Sequence, residues 1–128
     1  HEYQNEHRGC HCKRTRNRKP CRRRYNASEL FIYPSLYEGF GIPILEAYAC
    51  HCPVALSNTS CFPEIAGDAA VYFDPYSISS MSEAITKVIY NEEKRSQLIR
   101  LGNERLKRYS WEKAAQKTVE AYQKAIQS

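Results

Sequence analysis

The sequence predicts an α/β protein in which a small parallel sheet is covered by helices on both faces, as a partial three-layer sandwich. Two observations support this fold class. Short apolar runs rich in β-branched and aromatic residues alternate with longer segments of helical periodicity, and the links between them are short. Right-handed crossovers place such strands side by side in one sheet. Three such runs amount to about half of a complete domain of this kind.

The first strand and helix flank a glycine-rich turn. Residues 30–34 (LFIYP) form a short apolar run typical of a buried parallel strand. Residues 42–50 have helical spacing, and Pro43 lies in the first turn, where a missing N–H costs nothing. The order is therefore strand, glycine loop and helix.

Two further strands follow. Residues 53–57 are predicted to be the second strand, and residues 58–60 (NTS) the loop after it, suited either to capping a helix or to contacting phosphate. A short helix begins at Pro63-Glu64 and ends at Gly67. The third strand spans residues 70–73 and is stopped by an Asp-Pro pair.

Three helices complete the chain. They are predicted over residues 78–90, over residues 92–109 and from Ser110 onward, with Ser110 as the N-cap of the last one. Each has an apolar stripe, which we interpret as core rather than as a cofactor site. The architecture is thus an incomplete Rossmann-like domain.

The positive charge of the chain is confined to its first segment. The formal net charge is +5, yet residues 1–26 alone hold nine Lys or Arg against two Glu, and residues 27–128 are mildly acidic. We therefore divide the chain into a basic, atypical segment (1–26), predicted to be disordered or artefactual, and a folded domain (27–128). A genuine tail, a junction or truncation, and out-of-frame translation upstream all remain open as origins of the first segment.

The composition excludes several classes of protein. No apolar run approaches 18 residues, so no membrane-spanning helix is predicted, and the polar, basic beginning is unlike a signal peptide. The six cysteines have neither the spacing of a zinc site nor the setting of a secreted scaffold, which favours free thiols, no bound metal and the reducing cytoplasm.

The glycine-rich turn carries the candidate site. Glu38 and Glu46 lie eight positions apart across it, Glu38 at the carboxyl end of the strand and Glu46 about one turn into the helix. A helix start exposes backbone N–H groups and a partial positive charge that suit phosphate. A carboxylate at Glu46 suits the paired hydroxyls of a ribose, and Glu38 can accept from a further hydroxyl or stabilise a positive transition state. The pattern indicates a nucleotide-sugar site.

These residues resemble a known family. The segment EGFGIPILE (38–46) is similar to the Glu-x7-Glu signature of retaining GT-B glycosyltransferases of family 4, in their C-terminal, donor-binding half. Residues 52–70, 71–75 and 109–115 resemble the strand, loop and helix segments that follow in that family. The likeness covers roughly residues 25–128.

The resemblance implies transfer of a sugar from a nucleoside-diphosphate donor with retention of anomeric configuration. Glu38 would be the catalytic residue and would contact the donor sugar, and Glu46 would hold the ribose. Gly39, Phe40, Gly41 and Ile42 would complete the donor-binding set. No metal or other cofactor is expected. The loop SNTS (57–60) with Pro63-Glu64 is most similar to mannosyltransferases, which favours GDP-mannose.

The resemblance also sets expectations about partners and location. The N-terminal acceptor domain of the family is missing, so the fragment is expected to be inactive alone. The last helix often crosses back to that domain in the family, so some of its apolar surface is expected to be exposed here. The expected location is the cytoplasm, with peripheral association at the inner face of the membrane left open for the whole protein.

Plainer readings remain beside these. The glycines can serve a tight turn only, and Glu46 can be a solvated helix carboxylate. A non-catalytic nucleotide-sugar-binding module, or nucleic-acid binding through the basic segment, is the alternative function, and we regard nucleic acid as the weaker of these.

Overall fold

The computed structural model describes residues 19–127, with side chains from residue 22 onward. In chain order, its elements are α1 (Lys19–Ala27), β1 (Phe31–Tyr33), α2 (Ile42–Ala49), β2 (Val54–Ser57), α3 (Phe62–Ala66), β3 (Ala70–Phe73), α4 (Ile78–Ile89), α5 (Glu92–Leu106) and α6 (Trp111–Gln127). A short 3₁₀ turn, Gly67–Ala69, connects α3 to β3. The predicted alternation of strands and helices is confirmed.

The sheet of the described residues has three parallel strands in the order β1-β2-β3. Phe31 is opposite Val54, and Val54 is opposite Ala70, so β2 is the central strand. All four residues of β2 are buried, as expected for a strand covered on both faces. The predicted parallel sheet is therefore correct in its strands and in its direction.

Alternate residues of β2 enter two separate cores. Val54 and Leu56 face the side that carries α2 and α3, where Ile44, Tyr48 and Phe62 pack against them. The other face carries a second cluster, made by Ala55, Val71, Phe73, Ala84, Val88 and Leu98 from the sheet, α4 and α5. The predicted three-layer arrangement, with helices on both faces of the sheet, is confirmed.

Helix α5 closes the first core by a close approach to α2. Gly102 is buried against the ring of Tyr48, and a Cβ atom at Gly102 would lie only 2.5 Å from Tyr48 Cδ1. Further along α5, the Arg105 guanidinium donates to the carbonyl oxygens of Glu64 (2.7 Å) and Ile65 (2.9 Å). These two contacts satisfy carbonyl groups at the end of α3, which a short helix leaves without intrahelical donors.

The beginning of the described chain differs from the expectation of an irregular segment. Residues 19–26 belong to α1, whereas residues 1–18 lie outside the described residues. Arginine favours helix, and Tyr25 packs edge-on against Phe31 with ring centroids 5.3 Å apart. That ring contact joins α1 to the first core, a long-range effect that the local composition does not reveal. The domain boundary at residue 26 stays a prediction.

The apolar stripe of α6 is not core, so the interpretation of the stripes as core is wrong for this helix, whereas the expected exposure of apolar surface on the last helix is observed. Among the described residues, none of those in α6 is buried, and Trp111 and Ile126 are 79% and 85% exposed. The predicted cap is confirmed, since the Lys113 N–H donates to Ser110 Oγ at 3.1 Å. The apolar residues of α6 recur with helical periodicity, but no described element packs over them.

Candidate functional site

Glu38 lies in the loop between β1 and α2, where the sequence predicts the catalytic carboxylate. Its Oε1 atom accepts hydrogen bonds from the Tyr33 hydroxyl (2.7 Å) and from Ser35 Oγ (3.0 Å). The side chain is half-buried. A carboxylate held by two hydroxyl donors has a fixed direction, and the second oxygen, Oε2, is not used by either of these bonds.

The packing and the pKa of Tyr33 keep its hydroxyl protonated, as a hydrogen-bond donor must be. Its ring packs between those of Phe31 and Phe62, with centroid distances of 5.6 and 5.1 Å. Burial, followed by the hydrogen bond and the negative charge of Glu38, raises the pKa of Tyr33 to about 12. The hydroxyl is therefore protonated at neutral pH and donates to the carboxylate.

Gly41 forms the N-cap of α2 and needs to be glycine. Its φ angle is +90°, and a Cβ atom there would lie 3.0 Å from Ile44 Cδ1 and 3.1 Å from Phe62 Cε1. Gly39 differs, because a Cβ there would meet nothing within 4 Å. The turn thus explains Gly41 but sets no steric requirement at Gly39.

The start of α2 offers backbone N–H groups. Gly41 provides no side-chain cap, and Pro43 has no N–H of its own. First-turn N–H groups commonly lack an intrahelical acceptor, but here the Ile44 N–H donates to the Gly41 carbonyl oxygen at 3.0 Å. The N–H groups that can face an anion are therefore those of Gly41 and Ile42. Phe40, the residue before this N-cap, packs its ring edge-on against that of Tyr109, with the ring centroids 5.5 Å apart. The side chain of Ile42 is exposed.

Glu46 lies on α2, one turn beyond the helix start. It is half-buried and is engaged in a polar or electrostatic contact, while its neighbours Ala47 and Tyr48 are buried. The structure thus places all six predicted site residues in one continuous unit, the β1–α2 loop and the first half of α2. Their roles toward a ligand stay predictions.

A second loop crosses this unit, and we call residues 58–61 the crossing loop. Ser60 has a left-handed backbone, with φ of +57°. Its Oγ donates to the Glu38 carbonyl oxygen (3.0 Å) and accepts from the Glu38 N–H (3.2 Å). Both main-chain polar groups of the candidate catalytic residue therefore meet one hydroxyl.

The residues on either side of Ser60 make parallel contacts. Thr59 Oγ1 donates to the Leu36 carbonyl oxygen at 3.4 Å, and Cys61 Sγ lies 3.3 Å from the carbonyl oxygen of Glu38 and 3.4 Å from that of Phe40. The N-cap of α3 is Cys61, which makes no side-chain capping bond. The side chains of Thr59, Ser60 and Cys61 thus contact the β1–α2 loop, and Cys61 makes no side-chain capping bond to α3.

Sequence reasoning missed Tyr33 and Ser35, and it named Ser60 only as part of a loop suited to capping a helix or contacting phosphate, not as a partner of Glu38. Tyr33 looks like an ordinary strand residue, and its position five residues before Glu38 is the one signal that a sequence offers. Ser60 is 22 residues away from Glu38. Only the pairing of β1 with β2 brings their following loops together, because parallel strands end at the same edge of a sheet.

The rest of the described chain contains no other candidate site that involves the predicted residues. Two shallow surface depressions, of about 470 and 500 Å³, lie along α6 and on α5, and no predicted site residue lines them. Within residues 19–127, no group of three or more His, Cys, Asp or Glu could hold a metal ion. No helix in that range is long and apolar enough to cross a membrane.

Comparison with known proteins places the chain in a family. Residues 3–105 match the model described as glycosyl transferases group 1, so the match begins upstream of the predicted boundary at residue 26. The O-antigen chain mannosyltransferase B of Escherichia coli is 40% identical over 98 residues, which cover 77% of this chain and 26% of that protein. The MMP alpha-(1->4)-mannosyltransferase of Mycolicibacterium hassiacum is 31% identical, covering 78% of this chain and 25% of that protein.

A solved structure agrees with the fold. The sucrose-phosphate synthase of Thermosynechococcus elongatus superposes with a TM-score of 0.71 at 25% identity, over 80% of this chain and 27% of that one. The chain therefore spans about a quarter of the length of these proteins.

Proposed function

Because the chain belongs to the group 1 glycosyl transferase family, we propose that it is the donor-binding part of a retaining glycosyltransferase. The donor is a nucleoside-diphosphate sugar, and the acceptor is a glycan, a lipid or another molecule. The observation that carries the proposal is the β1–α2 unit, in which an oriented carboxylate, a left-handed glycine and an open helix start follow one another. This unit has the chemistry that a sugar, a diphosphate and a ribose require.

The proposal assigns one part of the donor to each part of the site. The backbone N–H groups of Gly41 and Ile42 bind the diphosphate, whose growing charge as a leaving group is stabilised by the start of α2. Glu46 accepts from the ribose hydroxyls. Glu38, with one oxygen held by Tyr33, directs the other toward the donor sugar. No metal enters this scheme, since the helix start already provides positive potential.

GDP-mannose is the proposed donor. The support is the loop sequence and the names of the relatives, several of which are mannosyltransferases. Since the chain spans about a quarter of their length, the proposal gives it donor binding only. We expect the chain alone to bind the donor without transferring sugar, because acceptor binding is assigned to a separate domain.

Calorimetry tests the proposal. GDP, UDP, ADP, GDP-mannose and UDP-glucose are titrated into the chain and into two variants, Glu46→Ala and Glu93→Ala. Glu93 is an exposed carboxylate on α5, outside the site, and serves as the matched control. A carboxylate that accepts two hydroxyls contributes enough that Glu46→Ala should weaken binding of the favoured nucleotide by roughly tenfold or more.

The outcomes separate the parts of the proposal. Selective binding of a guanine nucleotide, weakened by Glu46→Ala and not by Glu93→Ala, supports the donor site and its base. Selective binding of UDP or ADP instead keeps the site and overturns GDP-mannose. If a chain shown by circular dichroism to be folded binds none of these nucleotides, donor binding by this chain is refuted.

A further inference from the structure

Ser60 is held in a backbone conformation that serine rarely adopts. A left-handed residue other than glycine costs free energy, and it persists only where its surroundings fix it. Here the surroundings are two hydrogen bonds between the Ser60 hydroxyl and the main chain of Glu38. Glycine would adopt the same backbone more easily but would lack the hydroxyl.

The crossing loop that carries Ser60 is anchored at both ends. On the side of the sheet, the Asn58 N–H donates to the Phe73 carbonyl oxygen at 2.9 Å, which ties the loop to β3. On the other side, α3 is held by the Arg105 guanidinium on its last carbonyl groups. The hydroxyl of Ser60 is therefore presented from a supported loop.

The contacts of Ser60 act on the backbone of Glu38, whereas Tyr33 and Ser35 act on its carboxylate. Glu38 lies in a loop of residues 34–41 outside regular structure, in which a backbone rotation would move the carboxylate away from its donors. Fixing both the main chain and the side chain leaves a single direction for the free carboxylate oxygen. Preorganisation of this kind lowers the cost of ordering a site when a ligand binds.

We infer that Ser60 is a positioning residue, which fixes the backbone of Glu38 and thereby aims its carboxylate at the sugar of the donor. The inference rests on the proposed function for the identity of the ligand. It assigns Ser60 no contact with the ligand. Its effect should therefore appear in the contribution of the sugar, and not in the binding of the nucleoside diphosphate.

The test uses Ser60→Gly, which keeps the left-handed backbone and removes the hydroxyl. Its matched control is His51→Gly, because His51 is the other described non-glycine residue with positive φ, at +55°, and lies after α2 rather than at Glu38. The measured quantity is the ratio of the affinities for the sugar nucleotide and for its nucleoside diphosphate. Loss of hydrogen bonds of ordinary strength predicts a fall of roughly three- to tenfold in this ratio for Ser60→Gly, and no change for His51→Gly.

A double-mutant cycle shows whether Ser60 acts through Glu38. When Glu38→Gln has already weakened the sugar contact, Ser60→Gly should reduce the ratio by less than it does in the native chain, since effects on one shared interaction are not additive. Equal reductions in both backgrounds would contradict the inference.

Amide hydrogen exchange tests the backbone contact without a ligand. Ser60→Gly should speed exchange of the Glu38 N–H by about tenfold or more, because that group loses its acceptor, while His51→Gly should not. Unchanged exchange at Glu38 would overturn the inference whatever the binding data show. If the native chain binds no sugar nucleotide, the proposed function fails, and faster exchange at Glu38 would show that the backbone contact stands without it.

Discussion

Tyr33 orients the carboxylate of Glu38, and this role cannot be predicted from the sequence. Its position in β1 is predictable from the apolar run, but its hydrogen bond to Glu38 depends on how the loop folds back over the strand end. Glu38, Gly41 and Glu46, in contrast, could be identified from their spacing in the sequence, and the structure places them in one unit. Residues that a motif names are thus easier to predict than the residues that hold them.

Tyr33→Phe should weaken the sugar contact and leave the fold nearly unchanged. Phenylalanine preserves the ring contacts with Phe31 and Phe62 but gives no donor to the carboxylate. Since hydrogen bonds to charged groups are stronger than average, we expect the affinity for the sugar nucleotide to fall by roughly tenfold and that for the nucleoside diphosphate to stay the same.

Calorimetry on Tyr33→Phe and on a control, Tyr37→Phe, measures the effect. Tyr37 is exposed in the same loop, at 82%. Equal losses for the two variants, or a large drop in thermal stability for Tyr33→Phe alone, would contradict a role in orienting Glu38.

Among the elements, periodicity predicts those that are buried on one side. Helices α4 and α5 begin at the predicted residues and end one and three residues before the predicted ends. Helix α1 was missed because, among its described side chains (22–27), Tyr25 alone packs against the core. The close approach of α5 to α2 was also out of reach, because a mid-helix glycine in a sequence does not reveal what lies against it.

Gly102→Ala tests that approach. Alanine favours helix by up to about 1 kcal/mol over glycine, but its Cβ would enter the ring of the buried Tyr48. Overpacking costs about 1–3 kcal/mol, so we expect a net loss of roughly 1 kcal/mol in the free energy of unfolding. Urea denaturation measures it. The control is Ser96→Ala on the exposed face of α5, which should not destabilise the chain, and a more stable Gly102→Ala would show that the two helices can separate at no cost.

At the scale of the whole molecule, the fold class was predictable because both faces of β2 are covered, which makes its sequence continuously apolar. The exposure of α6 was expected from the family resemblance and not from the pattern of its own sequence. An apolar stripe shows that a helix has a face to cover and does not show what covers it. The stripe of α6 has the same period as that of α4. Of these two helices, α4 has buried residues and α6 has none among those described.

The stability of the molecule should fall as the pH rises above about 8. Burial raises the pKa of the Cys52 thiol from 9.0 to about 11, and that of Tyr72 from 10.0 to about 12. Both groups are largely neutral in both states below about pH 8, so they add little pH dependence there. Above it, the unfolded chain releases these protons first, which favours unfolding progressively up to about pH 12. Urea denaturation of the reduced protein at pH 8, 9.5, 10.5 and 11.5 measures the decline. Tyr72→Phe, which cannot titrate, should decline less steeply above pH 10, and a flat native profile would show that neither group is shielded from water.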